Sequence, residues 1–278
     1  MPNYPEPILD KIVDHLINRE HTKPKGHYPS SAYKCLRQQW YSWKEIPITN
    51  PISAAGMLRI QYGISIHEGF IKIMKEMGFD MLDEMNGQVH VPGLEYDIRY
   101  RVDLLLATKD SGMMGGEVKS TYGRGVVELQ EKGEPREHDL PQVVTYAYCT
   151  KIPWWYLIYL GRDTAYYTEF LLHYSLDQDT LTTYQVKNGD VLHTTQHDNM
   201  MKDIINRFKW TETAIKDNMP PEREFKLAVK NGEAKTKFQN NKIEYKSDWQ
   251  CSYCPWQNEC YKSTLGHDGM WWGEERIG

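Results

Sequence analysis

Two stretches, Y-R-V-D-L-L-L over Tyr100–Leu106 and M-M-G-G-E-V-K-S over Met113–Ser120, decide how this chain reads. In the first, Tyr96, Ile98, Tyr100 and Val102 can share one face of a strand, which leaves Arg99, Arg101 and Asp103 on the other. In the second, Glu117 and Lys119 stand two apart, so a strand points both side chains the same way. A hairpin joining the two would bring Asp103, Glu117 and Lys119 together. Carboxylates on neighbouring strands can hold a hard divalent cation through oxygen, and a lysine one pleat further on can orient or deprotonate a water against a phosphate. An isolated E-x-K is ordinarily a solvated charge pair, so the weight of this reading has to come from the rest of the chain.

The 278 residues suffice for one sizeable core, and 40% hydrophobic with 26% charged residues is ordinary for a globular protein. No apolar run approaches the roughly 20 residues needed to cross a bilayer, and Met1–Asn18 lacks a signal-peptide pattern, so a cytoplasmic protein with no membrane partner is expected. A formal net charge of −5 does not advertise a nucleic-acid binder. Any such contact must come from local clusters such as Arg19–Lys25 or the lysine-dominated Lys226–Lys246.

Ile8, Ile12 and Leu16 give a short amphipathic helix, followed by a polar loop to Tyr28. Pro29-Ser30-Ser31 reads as a helix start leading into A-Y-K-C-L-R-Q-Q-W-Y-S-W, with Cys35 inside the helix. Ile52–Met77 has helical periodicity and carries His67. Gln88–Pro92, Tyr96–Leu106 and Met113–Thr121 are strand-like, and glycine-rich, charged Tyr122–Pro135 reads as a mobile loop beside the site. A helix opened by His138 or Asp139 puts Gln142 and Tyr146 on one face, at i and i+4, and apolar Val143, Val144 and Ala147 on the other. Trp154–Leu160 and Ala165–Leu172 form a buried hairpin, a polar segment follows, and His197–Lys216 is a long helix. Pro220–Lys246, basic and poor in apolar residues, is expected to run extended along the surface.

Cys251, Cys254 and Cys260 form C-x-x-C-x-x-x-x-x-C, and Cys35 lies over two hundred residues upstream. Thiols so spaced in an intracellular chain point to a metal rather than to disulfides. A fourth ligand from Cys35 would tie the N-terminal helix to the C-terminal segment like a clasp. Both a 4Fe–4S cluster and Zn²⁺ accept four cysteines. Pro255 directly after a cysteine, the lack of a zinc-finger histidine, and the flanking Trp40, Trp43, Trp249, Tyr253, Trp256 and Tyr261 favour iron–sulfur, with zinc as the alternative. Cys149, on a helix among apolar residues, reads as a small buried hydrophobe.

In chain order, a cysteine helix, G-x-x-x-H at Gly63–His67, V-D at Val102–Asp103, E-x-K at Glu117–Lys119, Q-x-x-x-Y at Gln142–Tyr146 and three closing cysteines resemble one family. It is the RecB-like branch of the PD-(D/E)xK nuclease superfamily, and within it the CRISPR-associated iron–sulfur exonucleases and similar phage-encoded nucleases. The resemblance covers roughly Ser30 to Tyr261 and departs at Leu36, where a proline commonly follows the cysteine.

It implies an α/β fold: a restriction-endonuclease-like core with a central mixed sheet flanked by helices, closed by the iron–sulfur clasp. The implied division is an N-terminal helix and loop (1–28), one nuclease domain (29–261) whose four-cysteine module comprises 29–50 and 247–261, and a tail (262–278). It implies Mg²⁺ or Mn²⁺ held by His67, Asp103, Glu117 and the backbone carbonyl of Val118. Lys119 would act on the attacking water, Gln142 and Tyr146 would hold the DNA backbone, and Cys35, Cys251, Cys254 and Cys260 would hold the cluster. The implied function is a metal-dependent DNA exonuclease acting on single strands or duplex ends in phage or CRISPR-type DNA processing, cytoplasmic, including the host cytoplasm for a phage-encoded enzyme, with protein partners in a recombination or spacer-acquisition complex. The alternative is a DNA-binding adaptor subunit with little activity of its own.

Overall fold

The computed structural model describes residues 8–17, 22–108, 112–240, 242–262, 265–272 and 275–277. Residues 18–21 lie outside these, and with them the start of the Arg19–Lys25 cluster. Eight α-helices are described: α1 Ile8–Ile17, α2 Leu36–Trp43, α3 Ala54–Glu76, α4 Gly123–Lys132, α5 Leu140–Thr150, α6 Met200–Asp217, α7 Trp249–Ser252 and α8 Gln257–Tyr261. The strands are β1 Met81–Val89, β2 Ile98–Thr108, β3 Gly112–Thr121, β4 Trp154–Gly161, β5 Tyr167–Ser175, β6 Thr180–Lys187, β7 Asp190–Asp198, β8 Leu227–Lys230, β9 Glu233–Lys235, β10 Lys237–Asn240, β11 Ile243–Lys246, β12 Gly269–Trp272 and β13 Glu275–Ile277. Two compact units result, one of residues 25–33 and 59–209, the other of residues 1–24, 34–58 and 210–278.

The first unit is a mixed α/β layer structure. Its seven strands pair in chain order, β1 through β7, antiparallel at every step except β3–β4. Parallel neighbours need a crossover, and α4 with α5 supplies it. In β4 the sequence W-W-Y-L-I-Y-L-G buries Trp155, Leu157 and Tyr159 completely on one face, against Val143, Val144 and Ala147 of α5. Each such aliphatic side chain contributes about 1.5–3 kcal/mol by leaving water. Ile71 and Met74 of α3 pack with Leu104, Leu106 and Val118 in a second core. Gly115 and Gly116 admit large neighbours: a Cβ would stand 2.4 Å from the Trp155 ring at the first and 2.7 Å from Leu104 at the second.

The second unit holds a four-stranded sheet ordered β13-β12-β8-β9 and the separate hairpin β10–β11. Leu227, Val229, Cys251, Tyr261 and Trp271 form its core. Among the described residues no helix is long and apolar enough to cross a membrane.

Four expectations need correcting. Tyr122–Pro135 is largely helix α4, because Val126 and Leu129, three apart, are buried and Gly133 closes the helix in the left-handed region at φ 75°. The polar segment after the β4–β5 hairpin contains β6 and β7. Pro220–Lys246 contributes four strands, with Leu227, Ala228 and Val229 fully buried rather than superficial. Cys35 is the residue preceding α2, at a non-helical φ −47°, ψ 128°, and not within the helix.

Candidate active site

The β2–β3 ladder runs from Thr108↔Gly112 to Leu104↔Gly116 and stops there. Beyond it, side chains take over the backbone groups. The Asp103 carboxylate accepts the Val118 N–H at 3.0 Å, and the Tyr146 hydroxyl donates to the Arg101 carbonyl at 2.8 Å. Side-chain facing breaks at the same place: Val102 and Leu105 belong to the α5 core, Leu104 and Leu106 to the α3 core. In this interruption of the sheet the sequence-singled residues come together.

Lys119 Nζ lies 2.6 Å from Glu117 Oε1 and donates to Gln142 Oε1 at 2.8 Å. The Gln142 amide in turn donates to Glu117 Oε1 at 2.9 Å and to the Tyr146 hydroxyl at 2.8 Å. From α3, His67 brings Nε2 to 3.5 Å from Asp103 Oδ2. Gly63, one turn earlier, allows the close approach of α3 to β3, since a Cβ there would sit 2.8 Å from Ser120 Oγ. All six side chains line one cleft of about 1000 Å³, together with Arg59, Arg99, Arg101 and Arg162.

Electrostatically the centre is a buried carboxylate held against a lysine. Glu117 is 3% exposed, and burial, opposed by the Lys119 charge and reinforced by Asp103, pushes its carboxyl up to about 8. Burial works to lower Lys119 but is outweighed by the Glu117 and Asp139 carboxylates, so its pKa is raised and the amine stays charged at neutral pH. Burial foremost also raises the Tyr146 hydroxyl.

Donors suited to a hard cation are present. His67 Nε2 and Glu117 Oε2 are buried without a hydrogen-bond partner, and Asp103 Oδ2 adjoins the histidine. Among the described residues no three His, Cys, Asp or Glu groups already stand in a metal-ligating arrangement. Glu117 Oε1 is instead engaged by Lys119 and Gln142. The donor chemistry fits a divalent ion, with local rearrangement of the glutamate.

One residue of this neighbourhood was not singled out as functional. Asp139, read only as a helix opener, has Oδ1 4.0 Å from Lys119 Nζ, while Oδ2 accepts the Tyr159 hydroxyl at 2.8 Å. The signal was available: Asp139 stands three residues before Gln142, one helical turn away.

In the other unit, Cys35, Cys251, Cys254 and Cys260 line one recess together with Tyr41 and Tyr261. All are free thiols. Burial raises Cys35 to about 11 and Cys254 to about 12, and it raises Cys251 as well, with the neighbouring thiols adding to the effect in each. Four desolvated thiols facing one recess are the donor type a tetrathiolate metal centre uses, but among the described residues no three of them already stand in a metal-ligating arrangement. Trp40, Tyr41 and Trp256 pack around Cys254 and Cys260. Of the aromatic residues that flank the cysteines in sequence, Trp249 and Tyr253 are exposed and do not line the recess. Cys149 is buried in the core of the first unit, as a small hydrophobe.

No family model matches the sequence, and no curated protein matches it. Among solved structures, that of SSO0001 overlaps with a TM-score of 0.52 at 16% identity, covering 91% of this chain and 93% of that one. LHK-Exo, an alkaline exonuclease from Laribacter hongkongensis, overlaps at TM-score 0.38 and 12% identity over 75% of this chain and 95% of its own. In complex with dAMP it overlaps at 0.42 and 14% over 70% and 89%. The likeness to SSO0001 shows a shared fold, a mixed α/β architecture with a large central mixed sheet, whereas the overlaps with the exonuclease are too loose to carry chemistry across.

Proposed function

We propose that this chain is a metal-dependent deoxyribonuclease, an exonuclease hydrolysing phosphodiester bonds of single-stranded DNA or duplex ends. The observation that carries the reading is the convergence of Asp103, Glu117 and Lys119, with His67 beside them, in one arginine-bordered cleft. His67, Asp103, Glu117 and the Val118 carbonyl would hold Mg²⁺ or Mn²⁺. When bound, that ion supplies positive charge where phosphoryl oxygens gain negative charge and makes water more acidic there.

The chain's own groups do the rest. Lys119 stays protonated, so it donates rather than accepts: Nζ orients the attacking water and offers charge to a non-bridging oxygen. Gln142, bonded to both Lys119 and Glu117, fixes the lysine's direction. Tyr146 holds Gln142 and the interrupted β2 backbone in place, and the pair then borders the substrate strand. Cys35, Cys251, Cys254 and Cys260 would hold a 4Fe–4S cluster as a structural clasp, with Zn²⁺ the alternative occupant of the same sulfurs.

The test incubates labelled single-stranded and duplex DNA with Mn²⁺ and compares the wild type with Lys119→Ala. Shortening from an end by the wild type alone supports the proposal. Binding without cleavage by the wild type points instead to an adaptor subunit.

A further inference from the structure

Hairpin β10–β11 departs from a pairing rule. Lys237 and Lys246 are directly opposed across the antiparallel ladder, where like charges destabilise. Both are exposed, and among the described residues neither has a carboxylate within ion-pair distance. Glu244 shares their face but stands opposite Gln239, and the nearby Lys235 is already paired with Glu233 at 2.7 Å.

The hairpin's other face is firmly anchored. Phe238 and Tyr245 stack at 4.7 Å and are buried with Ala228 and Met270. The lysines are therefore presented on a rigid platform. Departures from local rules without internal compensation concentrate at functional sites.

We propose that the outer face of β10–β11 binds the phosphate backbone of a nucleic-acid strand, at a surface whose residues take no part in the catalytic cleft. Two features select this occupant. Residues 226–246 contain six lysines, two glutamates and no arginine, in a chain of net charge −5. Lysine is a point charge without the fork that reads base edges, which suits sequence-independent phosphate contact. The outer face, made of Lys237, Gln239, Glu244 and Lys246, also lacks any apolar anchor. Protein interfaces depend on such anchors and are depleted of lysine. The choice of nucleic acid rests on the nuclease reading above; the unpaired charge does not.

The test measures binding of the full chain to a fluorescein-labelled single-stranded oligonucleotide by anisotropy in EDTA, where cleavage plays no part, between 50 and 200 mM salt. Wild type is compared with the double variant Lys237→Gln, Lys246→Gln. Loss of two phosphate contacts is expected to flatten the slope of log affinity against log salt by about 1.4, so the wild type loses about sevenfold more affinity than the variant over that range. The variant's melting temperature, equal to or above wild type once the opposed charges are gone, certifies its fold. Parallel salt plots overturn the inference. So does displacement of the oligonucleotide from wild type by polyglutamate as effective, charge for charge, as polythymidylate, which would mark an acidic protein partner. A flattened slope in a protein that cleaves nothing in Mn²⁺ overturns the nuclease reading alone, whereas Lys119-dependent cleavage with parallel plots overturns the hairpin alone.

Discussion

Replacing Glu117 by glutamine isolates what the buried carboxylate costs. The side chain keeps its shape but can no longer ionise. In the metal-free protein burial raises this carboxyl from 4.5 to about 8. Between those values the folded state binds a proton that the unfolded chain has released, so stability falls as pH rises through that window. Each pH unit is worth about 1.4 kcal/mol, so the wild type should lose about 3 kcal/mol between pH 5.5 and 8 on account of Glu117. Lys119 does not blur the result. Its raised pKa contributes stability that is present below 10.5 and lost only above it. Carboxyls with lowered pKa, such as Asp83 and Glu134, titrate identically in both proteins and cancel in the difference. Denaturant unfolding in EDTA at pH 5.5, 7 and 8 is the assay, with Glu117→Gln expected to be flatter across the series and more stable at pH 8. Adding Mn²⁺ at a thousandfold excess over Kd should reverse the ranking, because only the wild type gains the binding free energy, about 4.1 kcal/mol, which exceeds the loss of about 3 kcal/mol. Parallel pH profiles for the two proteins in EDTA would refute the idea that Glu117 is a desolvated acid awaiting a cation.

Lys119→Ala is expected to lower DNA cleavage about 10²–10⁴-fold while binding in EDTA is retained, measured by product release and anisotropy. Tyr146→Phe leaves the Arg101 carbonyl without its hydroxyl donor and removes one of the two acceptors of the Gln142 amide, and unfolding curves should show a loss of about 1–3 kcal/mol. Gly115→Ala drives a methyl to 2.4 Å from the Trp155 ring and should cost about 1–3 kcal/mol in the same assay. Anaerobically purified wild type should absorb near ~400 nm and Cys254→Ala should not, whereas a colourless, zinc-containing wild type identifies the alternative metal.

Those parts of the fold that bury a regular stripe were legible in the sequence. The alternation around Val102, the apolar face of α5 and the run from Trp154 to Leu160 each follow from burial on one side. What escaped reading lacks such a stripe. β7, D-V-L-H-T-T-Q-H-D, is an edge strand of the seven-stranded sheet and almost wholly exposed, so nothing in its composition separates it from a loop. β8 buries only Leu227, Ala228 and Val229, too short a run to stand out between Lys226 and Lys230. α4 was masked by its glycines, although Gly133 is there as a helix stop rather than as a source of flexibility.

The candidate site was legible as residue types but not as a cause. Spacing alone places Glu117 and Lys119 on one side of a strand; it gives no reason why Asp103, Gln142 and Tyr146 should reach them. The reason is the end of the β2–β3 ladder. Once pairing stops at Leu104↔Gly116, the Val118 N–H and the Arg101 C=O need new partners, and Asp103 and Tyr146 supply them. Each thereby becomes fixed at the interruption, Asp103 facing His67 and Tyr146 facing Gln142. Backbone satisfaction and site geometry are thus one set of hydrogen bonds. Had the ladder continued through Asp103, these carboxylate and phenol oxygens would have had no backbone groups to cap, and the same six side chains would have had no slot in which to meet.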